Sequence, residues 1–354
     1  MNRILVINSG STSTKVAVFE EAKMLFTETI RHSSEELRQF EDIEGQLPMR
    51  KRLVQRALEA HCVSLHSLSD IVARGGLIRP IESGTYRINA RMLEDMHSPT
   101  ALGHASVLGG FIAYELSEEL GIPAYVVDPV MVDELEPVAR LSGLAGIERR
   151  SVFHALNTKA ILRKAAADLG TRYEDCCLIA VHMGGGITVS AHRYGRVIDV
   201  NDAMGGDGAF TPDRTGSLPV VPVIEMCYSG NYSREEMMDL VQRKGGLYSY
   251  LGTNDMIEAD DMVKQGDEFA AMVVEAMAYQ ICKEIGAMHA VLEGRAKAVV
   301  LTGGIAHSTR FTGMIKKRVD SWLPVLTYAG EDEMQALADG VLRIKNGTER
   351  LYEY

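Results

Sequence analysis

Positive charge is in short supply. Lys and Arg total 37 against 48 Asp and Glu, a formal net charge of −11 over 354 residues. Nucleic acids and anionic bilayers are held by clustered Lys and Arg, so this balance argues against both as partners. It leaves room for an anionic small ligand, because local backbone dipoles can oppose the net field. Cysteine is sparse. Cys62, Cys176, Cys177, Cys227 and Cys282 are odd in number and lack metal-ligand spacing, which points to a reduced, cytoplasmic protein and away from zinc. No apolar run reaches the ~20 residues of a membrane helix. Residues 3–7 are strand-like where a signal peptide would need a longer apolar core. There is no low-complexity or Pro/Ser-rich linker. The length suggests two domains.

What is present is a repeated pattern. Residues 3–7, 15–19 and 23–30 are apolar or alternating, and 8–14 are small and polar: strand, turn, strand, turn, strand. The order recurs at 177–181, 187–191 and 196–200, with a Gly-rich turn at 182–186. This internal duplication implies two similar α/β domains. Residues 35–61 have helical spacing, interrupted near Pro48. Helical spacing also covers 106–120, ended by Gly121, and 151–169 and 269–292. Short buried strands are expected at 70–73, 124–128 and 298–301. The methionines, Met237, Met238 and Met272 among them, read as core.

Three Gly-bearing turns follow apolar strands. The first, Asn8 to Lys15, offers a bare backbone at Gly10, hydroxyls at Ser11 and Ser13 and a cation at Lys15, a composition suited to phosphate and equally that of a plain hairpin. The second is His182-Met183-Gly184-Gly185-Gly186. Three consecutive glycines weaken flanking strands and are best explained by close approach of a ligand. The third, Thr302-Gly303-Gly304-Ile305, has the form of a crevice site beyond a strand's carboxyl end. Together they suggest a nucleotide in a cleft between two domains. Arg74, Asp128, His154 and Arg214 lie at strand ends or in loops, where a solvated charge is the commoner fate. His97, His104 and His307 carry no signal of function.

These motifs resemble the acetokinase family of carboxylate kinases, in the actin/hexokinase/Hsp70-like ATPase superfamily. The two signatures are Asn-x-Gly-Ser-x-Ser-x-Lys at 8–15 and His-x-Gly-x-Gly-x-Thr at 182–188. Arg74 to Tyr86 and Gly252 to Asp255 are similar to the butyrate and branched-chain fatty-acid kinase subgroup. Gly185, where acetate kinases carry Asn, departs from the acetate enzymes. The resemblance implies two duplicated actin-like (ribonuclease H-like) α/β domains, their mixed sheets flanked by helices, with a cleft between them. They would span 1–150 plus 333–354, and 151–332. It implies ATP/ADP and Mg²⁺ as cofactors, a short-chain carboxylate and its acyl phosphate as substrates, and a homo-oligomer.

Residue by residue, it implies phosphate binding by Asn8, Ser11, Ser13, Lys15 and Gly184, Gly185 and Gly186. Adenosine would lie against Gly303, Gly304 and Ile305, with Asp255 also on the nucleotide. Arg74 would meet the substrate carboxylate. Asp128, His154, His182 and Arg214 would be catalytic. Asn8 and Glu331 or Glu333 would lie near Mg²⁺, the register within Glu331-Asp332-Glu333 being open. A carboxylate is ionised at neutral pH and needs no general base, so the site must supply alignment and charge neutralisation. Acetate or propionate kinases, sugar kinases using Asp128 as base, and non-metabolic actin- or Hsp70-like ATPases are the rival expectations.

Overall fold

The structure, a computed structural model, describes residues 2–102 and 104–354. Residue 1, where the first domain is expected to begin, lies outside the described residues. The chain divides into two compact units: Met1–Val132, Ala155–Asn157 and Asp332–Tyr354; and Asp133–His154 with Thr158–Glu331.

The first unit is built on β1 (Arg3–Ser9), β2 (Ser13–Glu20), β3 (Lys23–Arg31), β4 (Asp70–Ala73), β5 (Thr85–Arg87) and β6 (Ala124–Val127). With the C-terminal strand Leu351–Glu353 at one edge, the order is Leu351–Glu353, β5, β6, β4, β1, β2, β3. The pairs β1–β2 and β2–β3 are antiparallel; β1, β4 and β6 are parallel. Every residue of β1 from Ile4 on is buried, because both faces are covered. Leu5, Ile7, Val16 and Val18 join a core with helices Leu47–Ala60 and Val107–Leu120. The alternate residues face the other way. The helix Glu333–Lys345 packs on β1, β4 and β6, with Gly340 so near Val127 that a Cβ would lie 2.5 Å from its Cγ2.

The second unit repeats the plan. Its strands β7 (Cys177–Met183), β8 (Ile187–Arg193), β9 (Arg196–Val200), β10 (Val299–Thr302) and β11 (Val325–Thr327) are ordered β11, β10, β7, β8, β9. Ile179, Val181 and Leu301 pack with the long helix Glu268–Val291 and with Thr309–Val319. Leu178, Ala180 and Val300 pack with Leu162 and Ala165. Residues 133–154 are tied into this unit: Arg149 pairs with Asp199 at 2.8 Å, and the buried Lys159 with Glu134 at 2.9 Å.

The expected interruption near Pro48 is present, and one other expectation is corrected. The helical stretch 35–61 is broken before Pro48: a short helix Ser34–Leu37 ends, and Leu47–Ala60 begins with Pro48 in its first turn. Proline's missing N–H costs nothing there, so it starts the helix. Methionine is not uniformly core. Met237 is buried, whereas Met238 and Met272 are exposed. Among the described residues, no helix is long and apolar enough to cross a membrane.

Candidate active site

In the first unit the parallel strands deliver their residues to one sheet end. Asn8 lies near the end of β1; Arg74 and Asp128 immediately follow β4 and β6. Such carboxyl ends are where open α/β sheets receive ligands. Asn8 is buried and its Nδ2 donates to Glu333 Oε2 at 2.6 Å. Arg74 Nη1 approaches the same carboxylate, 3.2 Å from Oε1 and 3.3 Å from Oε2. Glu333 opens its helix, where the positive end of the macrodipole favours a carboxylate. Arg74 is aimed by the turn behind it. A Cβ at Gly75 would lie 2.5 Å from Val126 Cγ1, and one at Gly76 2.2 Å from Val107 Cγ1, so only glycine lets the chain pass. Asp128 is buried with φ +38°, and its Oδ1 accepts from Gly84 N at 2.8 Å.

The hairpin between β1 and β2 narrows to Gly10, Ser11, Thr12 and Ser13, since pairing of the two strands runs to Ser9↔Thr14. Ser11 and Lys15 are exposed, Ser13 half-buried. Among the described residues nothing crowds Gly10: a Cβ would stay 3.7 Å from Ser13. Two neighbours carried no sequence signal. One is Arg50, which is fully buried beneath this turn on the core face of its helix, four residues before the buried Val54. The other is His104: burial, and then the charge of Arg74, hold its imidazole below the usual range.

In the second unit His182, next to last in β7, stacks on His154, ring centroids 3.7 Å apart and planes at 10°. His182 Nε2 is 3.2 Å from Glu331 Oε1, and His154 Nδ1 is 3.4 Å from Thr188 Oγ1. Arg214 Nη1 donates to Ala203 O at 2.6 Å. Its loop is pinned where Gly246 passes Thr211: a Cβ there would lie 1.7 Å from Thr211 O. Gly186 must be bare to admit Arg214, whereas Gly184 and Gly185 meet no such obstacle. Gly303, φ +87°, passes Met183 O so closely that a Cβ would sit 2.4 Å away, and it exchanges backbone bonds with Gly330 at 3.0 and 3.2 Å. Gly304 is exposed and Ile305 buried. The turns 184–186 and 302–304 and the residues Gly330 and Glu331 therefore form one cluster with His154, His182 and Arg214.

Asp255 is placed differently. It is exposed and caps the helix Met256–Lys264, its Oδ1 accepting from Ile257 N at 2.7 Å. The acid tied to the start of the helix Thr309–Val319, just beyond the 303–307 turn, is Asp260, which accepts from Ser308 Oγ and Arg310 Nη1, each at 3.0 Å. Glu331 and Glu333 belong to different units and to different partners, His182 for one and Asn8 with Arg74 for the other. Among the described residues no group of three or more His, Cys, Asp or Glu could cage a metal. A hard cation that keeps most of its waters fits the oxygens of Asn8 and Glu333; a tightly chelated metal does not.

A sequence profile of the acetokinase family matches residues 141–339. Among solved structures, the chain is similar to the acetate kinase of Porphyromonas gingivalis, with TM-score 0.82 and 17% identity over 98% of this chain and 100% of that one. A propionate kinase from Francisella tularensis subsp. tularensis SCHU S4 gives 0.74 and 18%, over 96% and 99%. The acetate kinase of Entamoeba histolytica gives 0.77 and 16%, over 96% and 98%. At such identities the likeness is one of fold: mixed α/β sheets flanked by helices, as in actin-like ATPases.

Proposed function

The chain belongs to the acetokinase family, phosphotransferases whose acceptor is a carboxyl group, and on that footing we propose that it is a butyrate kinase. It interconverts ATP plus butyrate or isobutyrate with ADP plus the acyl phosphate, in the cytoplasm and as a homo-oligomer. The observation that carries the reading is Glu333: one carboxylate joins Asn8, beside the phosphate hairpin, to Arg74, the cation for the substrate's carboxylate. The choice of butyrate rests on the subgroup sequence from Arg74 to Tyr86. That segment is braced, Arg79 pairing with Asp95 at 2.5 Å and Tyr86 OH donating to Glu82 O at 2.9 Å.

The chemistry follows from the acceptor. An ionised carboxylate is already a nucleophile, so Asp128, tied to Gly84, positions and does not deprotonate. Arg74 orients the acid through its planar fork. The hairpin of Ser11, Ser13 and Lys15 and the turn Gly184–Gly186 take phosphate oxygens. His154, His182 and Arg214 neutralise charge that grows on the transferring phosphoryl group. Gly303, Gly304 and Ile305 receive the adenosine. Asn8 and Glu333 would hold Mg²⁺, which when bound screens the phosphate charge.

Hydroxylamine trapping tests this directly, since only an acyl phosphate yields a hydroxamate. Acetate, propionate, butyrate and isobutyrate are compared with Mg·ATP. We expect kcat/KM to rise toward the four-carbon acids, each methylene contributing about 1–3 kcal/mol. A steady fall from acetate to butyrate makes the protein an acetate kinase, and no hydroxamate with any acid removes the carboxylate-kinase reading.

A further inference from the structure

Three of the four carbonyl groups of the hairpin turn accept from one buried side chain. Arg50 Nη1 donates to Gly10 O at 2.8 Å, to Ser13 O at 3.1 Å and to Thr14 Oγ1 at 3.1 Å; Nη2 donates to Ser11 O at 3.0 Å. The fourth carbonyl, that of Thr12, accepts from His32 N at 2.8 Å. Gln46 Oε1 fixes the guanidinium from behind, 2.9 Å from Nη2 and 3.2 Å from Nε. With these oxygens engaged inward, the amides of Ser11 and Thr12 donate to no acceptor among the described residues, and both residues are exposed. Successive free amides on an exposed turn form an anion-binding concavity.

Arg50 is itself unusual. It is fully buried, and among the described residues no carboxylate lies within ion-pair distance of it. Buried charges are ordinarily paired. Here carbonyl dipoles take part of the charge, and burial lowers its pKa only to about 10, so the cation persists at neutral pH. The remainder is a positive potential directed through the turn.

We propose that Arg50 is a positioning residue for nucleotide: it draws the turn's carbonyls inward, turns the amides of Ser11 and Thr12 outward, and adds a buried positive charge behind them. The proposal rests on reading this hairpin as a phosphate loop. It concerns the nucleotide and not the carboxylate.

The test is calorimetric titration with Mg·ADP, alongside KM for butyrate, on the parent, Arg50→Met and Arg50→Lys, each checked for folding by circular dichroism. Because displacing a binding group by about 1 Å can cost up to about 10²-fold, Arg50→Met should weaken Mg·ADP by about tenfold or more and leave the butyrate KM near that of the parent. Arg50→Lys should restore part of the affinity, keeping the charge but lacking the fork that reaches three carbonyls. A folded Arg50→Met with parental Mg·ADP affinity overturns the proposal. So does a loss that falls equally on butyrate. Should Arg50→Met not fold, Gln46→Leu frees the guanidinium while leaving it in place: weaker Mg·ADP binding supports the proposal and unchanged binding overturns it. A parent that binds no Mg·ADP refutes the phosphate-loop reading itself, and Arg50's role with it.

Discussion

Arg214 lies so close over the backbone of Gly186 that a Cβ at that glycine would sit 2.6 Å from Nη1, and 3.4 Å from His154 Cε1. A methyl group there must push the guanidinium of Arg214 aside and would rest against the ring of His154. Gly186→Ala should keep the fold, because the displaced atoms end a flexible side chain, yet lower kcat by about 10- to 100-fold. Gly185→Ala meets nothing within 4 Å among the described residues, so any loss it causes reports on the ligand. Its expected signature is a raised KM for ATP with unchanged thermal stability. Steady-state constants for both variants decide the matter. A Gly186→Ala enzyme with parental kcat would remove Arg214 from the catalytic group.

The two acids near the unit boundary can be separated by metal dependence. Glu333 holds Asn8 and Arg74, while Glu331 faces His182. Glu333→Gln should therefore raise the Mg²⁺ concentration for half-maximal rate by about tenfold, the scale of one lost charge-assisted contact of ~1.4 kcal/mol. Glu331→Gln should change it less. A Mg²⁺ titration of both variants showing the opposite order would assign the metal to Glu331.

Acid should destabilise the second unit through His192. This imidazole is wholly buried, with Tyr173 OH 2.7 Å from Nδ1 and Ser190 Oγ 2.8 Å from Nε2. Burial, and then the charge of Lys159, hold its pKa well below the usual value. The unfolded chain thus takes up a proton that the folded state refuses. Stability is complete above the unfolded pKa near 6.5 and falls as pH drops below it, by up to about 1.4 kcal/mol per pH unit. His32 and His104 are lowered too and act in the same direction. His192→Gln should flatten the decline in unfolding free energy between about pH 6.5 and 5; an unaltered slope would assign the acid sensitivity elsewhere.

Self-association should depend on the helix Val220–Tyr228. Its sequence is almost wholly apolar, yet none of its residues is buried. Val220, Val221 and Tyr228 are 69%, 68% and 87% exposed. The same unit carries a groove of about 480 Å³ lined by Leu218, Tyr250, Phe269 and Met272 among others. A projecting apolar helix and an apolar groove on one surface suit an interface between identical copies. Val221→Glu should shift sedimentation from oligomer to monomer. A parent that sediments as a monomer would refute the oligomer.

Legibility followed the physics of each element. Strands at 70–73 and 196–200 match their sequence runs, because short apolar segments between polar neighbours have one way to be buried. The strand at 3–7 extends to Ser9, because Asn8 and Ser9 pair with Lys15 and Thr14 whatever their polarity. Arg50 was invisible, since an arginine on an amphipathic helix ordinarily faces water. Three consecutive acids at 331–333 carry no internal register. Only the partners His182 and Arg74 tell the outer two apart. Asp255 reads as a ligand through its neighbours' resemblance, while its oxygen is occupied with an N-cap.

The return of Asp332–Tyr354 to the first unit has a bearing on how the chain is made. Synthesis delivers every residue of the second unit before it delivers the helix Glu333–Lys345 and the strand Leu351–Glu353, which complete the first. Until then β1, β4 and β6 lack their cover on one face and β5 lacks its edge partner. The part of the protein translated first is therefore the part that matures last. The Asn8–Glu333 contact, 325 residues apart in sequence, is among the final bonds to close on the ribosome's product. A nascent chain arrested before residue 332 would present a finished second sheet and an unfinished, apolar first one, a natural client for a chaperone.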